Sequence, residues 1–367
     1  MNNSGFIGKY GFFSSIVVAI IGVGIFSLPG ELAKSVGNDG WLVSILDGLI
    51  CLLLLYIIYK IMSKNNYDTF YNILIRNFGK VIGKIVAFIF SIYLIISIST
   101  GMRVFSEVLK MYLLEKTPTE FITLTMILCG YYLIRGSLTN LVRFNEVAFW
   151  IMFIPIFIVL IFAAYDADFS NVFPILNSSP VNYFQAISLS SFSFGGIGII
   201  FLMLPALKNK SDYKKSAIMA VTFITIFYVV INVLCIASSS SPQVGKLLWP
   251  TIAMVKSISI PGGFIEGLEG SVMALWVIFY FTFFTNGLYF SSDLIKDIFG
   301  LEDIKISSYL VIPFIYLIAL LPRDIGELYG IIEGVFPILF FTCLIFFPLI
   351  LLLIIKLKKK VAATDEA

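Results

Sequence analysis

Ten apolar runs separated by polar connections decide what this chain can fold into. They fall at 8–36, 41–62, 81–113, 120–134, 146–164, 184–207, 216–237, 269–292, 307–321 and 328–356. A helix needs roughly 20 residues to cross about 30 Å of hydrocarbon, and these runs fill most of the chain. Inside lipid every backbone N–H and C=O must be paired within its own segment, so helices are the expected form. With 59% hydrophobic and 13% charged residues over a length of 367, the sequence carries more apolar surface than one soluble core could bury. No soluble domain of useful size is expected, and the lipid bilayer is the first partner. The first run contains glycine and proline punctuation and lacks a small-residue cleavage site, so it reads as a retained span rather than a leader.

Turn signals occupy the short connections: Gly37-Asn38-Asp39-Gly40, Gly136-Ser137 and Pro322-Arg323-Asp324. Longer segments at 166–180 and 238–263 read as surface loops or short helices. Placing both termini in the cytoplasm puts eighteen of the 25 Lys and Arg residues on the inner side, as the positive-inside rule requires. Lys356, Lys358, Lys359 and Lys360 form the clearest inner anchor.

Cys51, Cys129, Cys235 and Cys343 each lie in an apolar run without Cys-x-x-Cys spacing, and read as buried small hydrophobes rather than disulfides or metal ligands. Histidine is absent. That removes the commonest metal ligand and the commonest acid–base near neutral pH, so no enzyme, metal site or cofactor is expected.

Two spans carry helix-breaking residues. The first contains Gly22-Val-Gly-Ile-Phe-Ser-Leu-Pro29; the sixth contains Phe194-Gly-Gly-Ile-Gly198, with Pro205 beyond. Glycine eases unwinding and proline deletes a backbone donor, so each segment should free polar backbone groups at membrane depth. Such groups are tolerated only beside protein or a cavity. The breaks occupy the first position of each five-span half, the arrangement of an inverted-repeat transporter with a central site. The alternative is that these glycines only allow close helix packing. A half-helix N-terminus gathers positive partial charge and free N–H donors, which suits a carboxylate.

At these residues the chain resembles the amino acid–polyamine–organocation superfamily. Within it the chain is similar to the endospore germination permeases, the membrane-embedded B subunits of spore germinant receptors. The likeness rests on the span-one motif, on Tyr112-Leu-Leu-Glu-Lys-Thr-Pro118, on Leu248-Trp-Pro-Thr-Ile252, and on Tyr289-Phe290 followed by Phe299-Gly-Leu301. The resemblance implies a single all-α, LeuT-like membrane domain of about ten helices. Its five-plus-five inverted repeat divides into 8–164 and 184–356, with helices one and six interrupted. It implies a germinant-sensing subunit in the inner spore membrane, acting beside A and C subunits on a small germinant, typically an amino acid. No nucleic-acid partner is implied. Carried over by position, the ligand-binding residues are Gly22, Gly24, Ile25 and Phe26 in span one and Tyr93 and Ser97 in span three. Span six adds Phe194, Gly195, Gly196 and Gly198, and span eight Thr282, Phe283 and Gly287. Some relatives place an acidic residue just after the sixth-span glycines; here Ile199, Ile200 and Phe201 follow.

Read from the residues alone, Tyr93 and Ser97 share a helical face, with Thr100 one residue off it. They can offer hydroxyls to a ligand or bond to neighbouring helices and to their own backbone. Phe283 and Gly287 repeat the spacing, with ordinary packing as the alternative. Asp47, near the outer end of span two, reads as a solvated or paired structural carboxylate or as a proton-sensitive group. Arg103 and Glu107 read as an i,i+4 pair or an outer gate. By the resemblance, some proton-coupled relatives place a lysine in the middle of span five, beside the span-one break; here 149–164 has none, and the cytoplasmic half of span eight offers only Ser291-Ser292 as a clear hydroxyl pair for sodium, so coupled transport is less favoured than sensing. Secondary amino-acid transport and a water or ion passage are the competing functions.

Overall fold

The computed structural model describes residues 6–22, 24–258 and 268–365. Among them the chain is helical almost throughout, an all-α membrane fold. Seven helical stretches are long and apolar enough to cross a membrane. One, Gly24–Lys64, holds two expected spans in series: the second half of span one and all of span two, joined by the 3-10 turn Gly37–Asp39. The shorter apolar helices Lys9–Ile20, Thr119–Ile134 and Ile304–Leu320 supply the first half of span one, span four and span nine. Ten spans result.

Boundaries read from apolar runs fall short where a helix ends in polar residues. Span five starts at Leu138 and span eight runs to Phe299, because backbone hydrogen bonding continues through Arg143 and Asn145 and through Asp293 and Lys296. The apolar pattern also misses a surface helix, Phe70–Phe78, between spans two and three. Thr69 caps it by accepting from the Asn72 N–H at 3.3 Å, and it buries Phe70, Ile73 and Leu74 against span three. Its Thr cap and three-residue apolar spacing were both present in the sequence.

Span three (Lys80–Tyr112) packs along span eight (Leu268–Phe299), and the first half of span one lies against spans five, seven and eight. Span one therefore threads the centre of the bundle. Its companion, span six, is tied to it at one end. The Ile7 N–H donates to the Ala206 carbonyl at 3.0 Å and the Lys208 N–H to the Ile7 carbonyl at 2.9 Å. Beyond Pro205, which cannot donate, the Lys210 ammonium caps the carbonyls of Leu204, Pro205 and Leu207 at 3.0, 2.6 and 2.7 Å. In span ten a π-turn spans Phe341–Phe346, just before Pro348, which has no N–H to give the Leu344 carbonyl.

Two expectations need correction. Cys129 is exposed on the outer face of span four, since its helical register points it away from the bundle. Asp47 is not solvated: it is 5% exposed, and one carboxylate oxygen has no hydrogen-bond partner among the described residues.

Candidate functional site

Helix one stops at Ile20 and restarts at Gly24, with Ile21 and Gly22 outside helical geometry. The restart is a 13-residue helix whose first-turn N–H groups have no helical acceptors. Span six behaves differently. Its helix Pro180–Phe194 tightens into a 3-10 turn at Gly195–Gly198 and resumes at Ile199–Met203, so the chain is distorted there rather than unwound.

Gly196 explains why the two segments meet. A Cβ built on it would overlap the Ala19 carbonyl and approach Ile20 Cα at 2.8 Å, so only glycine lets span six lie directly on span one. Side chains from spans three and seven and from the short helix Pro250–Ser257 satisfy backbone carbonyls at the breaks. The Tyr93 hydroxyl donates to the Gly195 carbonyl at 2.6 Å, Tyr228 to Ser193 at 3.1 Å, and Thr251 to Ile25 at 2.7 Å. The breaks are thus held open by a fixed polar frame rather than left as bare backbone.

A central cavity of about 20 Å³ lies at the span-six turn, lined by Ser97, Gly195, Gly196, Phe192, Phe283, Gly287 and Phe336 among others, with Ala19 its wall from span one. Roughly 10–15 Å³ is enough to hold one water, so this conformation is closed around a water-sized space. Five predicted residues line it: Ser97, Gly195, Gly196, Phe283 and Gly287. Gly22 faces the Phe283 ring, which a Cβ there would meet at 3.0 Å. Gly24 lies against Ser193. The remaining predicted residues sit at the edge. Ile25 is engaged through its carbonyl, Phe26 packs against Trp276 with the rings tilted, and Phe194 packs edge-on to Tyr228 at 5.0 Å. Gly198 faces Leu344 and Phe90 instead of the cavity.

Hydroxyls expected to face a ligand are committed as donors. Ser97 donates to the Tyr93 carbonyl at 2.7 Å and Thr282 to the Phe279 carbonyl at 2.8 Å, the local back-bonding open to any Ser or Thr in an apolar helix. The free polar atoms lie elsewhere. Ser193 Oγ and Trp276 Nε1 are buried without a partner among the described residues, Ser193 against Gly24 and Trp276 against Phe26. Ser193 was readable as the hydroxyl closest before the sixth-span glycines; Trp276, Phe192 and Phe336 carried no sequence signal beyond apolarity.

The Leu248-Trp-Pro-Thr-Ile252 motif packs against the second half of span one, outside the cavity lining. The Trp249 indole N–H donates to the Tyr329 hydroxyl at 3.0 Å, and Pro250–Ser257 forms a short helix against the second half of span one. Arg103 and Glu107 make the expected i,i+4 pair at 2.8 Å, and Arg103 also reaches the Arg323 carbonyl at 3.5 Å.

The family model described as "Spore germination protein" matches residues 7–328. The chain belongs to this spore germination protein family. Relatives include Spore germination protein A2 of Bacillus subtilis (strain 168), 28% identical with 95% of each chain covered. Spore germination protein GerQB of Bacillus cereus is 27% identical, covering 85% of this chain and 86% of the relative. Among solved structures, the substrate-bound outward-open state of a Na+-coupled sialic acid symporter matches with a TM-score of 0.68 at 12% identity. That match covers 94% of this chain and 80% of the symporter. At that identity it supports the fold: a LeuT-like inverted repeat with helices one and six interrupted. The spore germination protein family and this fold together make the chain a membrane permease-like protein rather than an enzyme.

Proposed function

We propose that this chain is the germinant-sensing membrane subunit of a spore germinant receptor. It binds an amino acid at mid-membrane between the break in span one and the turn in span six, and acts beside A and C subunits in the inner spore membrane with both termini cytoplasmic. The two structural halves correspond to 8–164 and 184–356. The observation that carries the reading is a cavity at the span-six turn, walled by Ala19 of span one and by Phe283, against which Gly22 of the break lies, with Ser193 Oγ buried and unpartnered beside Gly24. The N–H groups opening the Gly24 helix suit the ligand carboxylate. Phe283 and Gly287 shape the side-chain end.

A cavity of about 20 Å³ is too small for an amino acid, so binding requires spans one and six to move apart. Ligand is therefore coupled to a change of shape, as a sensor demands. Where the inner halves of spans one, five and eight meet, Asn145 and Asn286 exchange amide hydrogen bonds at 3.0 and 3.1 Å, and Asn145 also donates to Ser15 at 3.0 Å. This junction is a neutral clamp, which favours sensing over proton-coupled transport. The experiment is binding of an amino-acid panel to the purified chain in nanodiscs, followed by liposome uptake of whichever amino acid binds. Binding without accumulation is expected; accumulation against a gradient assigns the chain as a transporter, and no binding removes the reading.

A further inference from the structure

The largest polar space near the breaks is not the central cavity. Beside the second half of span one lies an outer cavity of about 360 Å³, walled by Ser27, Glu31 and Lys34 of that helix, Leu247 and Leu248 of the motif segment, and Tyr329 and Glu333 of span ten. Ligand pockets typically run from about 300 to 1,000 Å³, so this one admits an amino acid without rearrangement.

Its charges are unusual. Glu31 and Glu333 face one another across the space as like charges, with Lys34 one helical turn from Glu31. Among the described residues none of the three forms an ion pair. Glu333 lies eight residues inside span ten, about 12 Å along the helix at 1.5 Å per residue. A carboxylate at such depth must face water or a cation rather than lipid, and groups of this kind mark ligand pathways. The Tyr329 hydroxyl accepts from Trp249 and offers no positive charge. Two facing carboxylates repel until a cation lies between them, while Lys34 offers the opposite charge at one side.

We propose that this outer cavity is a second binding site, a capture site for zwitterionic amino acids. The ligand ammonium sits between Glu31 and Glu333 and its carboxylate faces Lys34. Ser27, in the wall of the cavity and one turn beyond Gly24, connects the site to the span-one break. The inference rests on the amino-acid-sensing reading and names the first contact on the ligand's route.

The test uses the full chain in nanodiscs and the radiolabelled amino acid that binds best from a panel, with its amide and its deaminated acid as probes. Glu333→Gln keeps shape on an exposed side chain and should fold normally. It should lower the association rate about tenfold at low salt, because unpaired charges at a mouth act on encounter more than on dissociation. Lys34→Met should weaken the zwitterion but not the amide, and Glu31→Gln the zwitterion but not the deaminated acid. Unchanged association rates in all three variants, with binding still abolished by blocking the central cavity, overturn the outer site and leave the sensing reading standing. A wild-type chain that binds no amino acid overturns both.

Discussion

The two interrupted spans resemble one another in sequence and differ in structure. Span one opens at Ile21 and Gly22 and restarts a fresh helix at Gly24, whereas span six only tightens to a 3-10 turn over Gly195–Gly198. The difference lies in what surrounds each segment. Span six is gripped: Gly196 presses on Ala19, Tyr93 and Tyr228 hold two of its carbonyls, and Lys210 caps its end. At its opening turn the restart of span one is held among the described residues by Thr251, which donates to the Ile25 carbonyl, while Ser178 donates to Val36 at its far end. The gripped helix is thus a platform, and the opened one is the element free to respond to a ligand.

Gly196→Val tests the grip most severely. The added Cβ overlaps backbone, which no rotamer relieves, so the loss should exceed about 4 kcal/mol and read as absent monodisperse protein after size-exclusion. A well-behaved Gly196→Val protein would show that the spans are not in contact. Lys210→Met should cost about 2–3 kcal/mol, the range for a charged donor lost from buried acceptors, measured by thermal unfolding in detergent. Burial also lowers the Lys210 pKa from its ordinary value. Between that lowered value and the ordinary lysine value the unfolded chain binds more protons, so this group makes stability rise with pH there. Lys210→Met should flatten that rise; an unchanged slope would assign it to another group.

Tyr93→Phe should cost about 1 kcal/mol of stability by stranding the Gly195 carbonyl. Thr251→Val should cost about 0.6 kcal/mol, the average for an interhelical hydrogen bond in a membrane. The comparison predicts opposite functional signs. Tyr93→Phe loosens the platform and weakens amino-acid binding, while Thr251→Val frees the responsive helix and strengthens it. Equal effects on binding would erase the distinction.

Much of this architecture was legible beforehand because membrane helices declare themselves by length and apolarity, and Gly22, Gly24 and the sixth-span glycines by their rarity in such runs. The form of each break was not legible. Nothing local distinguishes Gly195–Gly198 from the span-one glycines; the 3-10 turn reflects tyrosines from spans three and seven. Site chemistry was harder still, because Ser97 and Thr282 satisfy their hydroxyls on their own helices, an option the sequence leaves open at every Ser or Thr. Ser193's place beside the sixth-span glycines was readable, but its lack of a partner is a property of packing. Glu31 and Glu333 escaped notice because they face one another only after spans one and ten are brought together.

The central claim is that an amino acid binds where these two spans meet. Ser97, 6% exposed on the cavity wall, is the position at which one added methyl occupies most of a space of about 20 Å³ without overpacking it. Equilibrium binding of the best panel amino acid to wild type and Ser97→Val, in nanodiscs and at matched thermal stability, is therefore the most direct measurement. A methyl-sized change in a close-packed pocket is worth about 10–200-fold, so affinity should fall at least tenfold. Equal affinity in the two proteins would contradict the account and move recognition away from the central cavity.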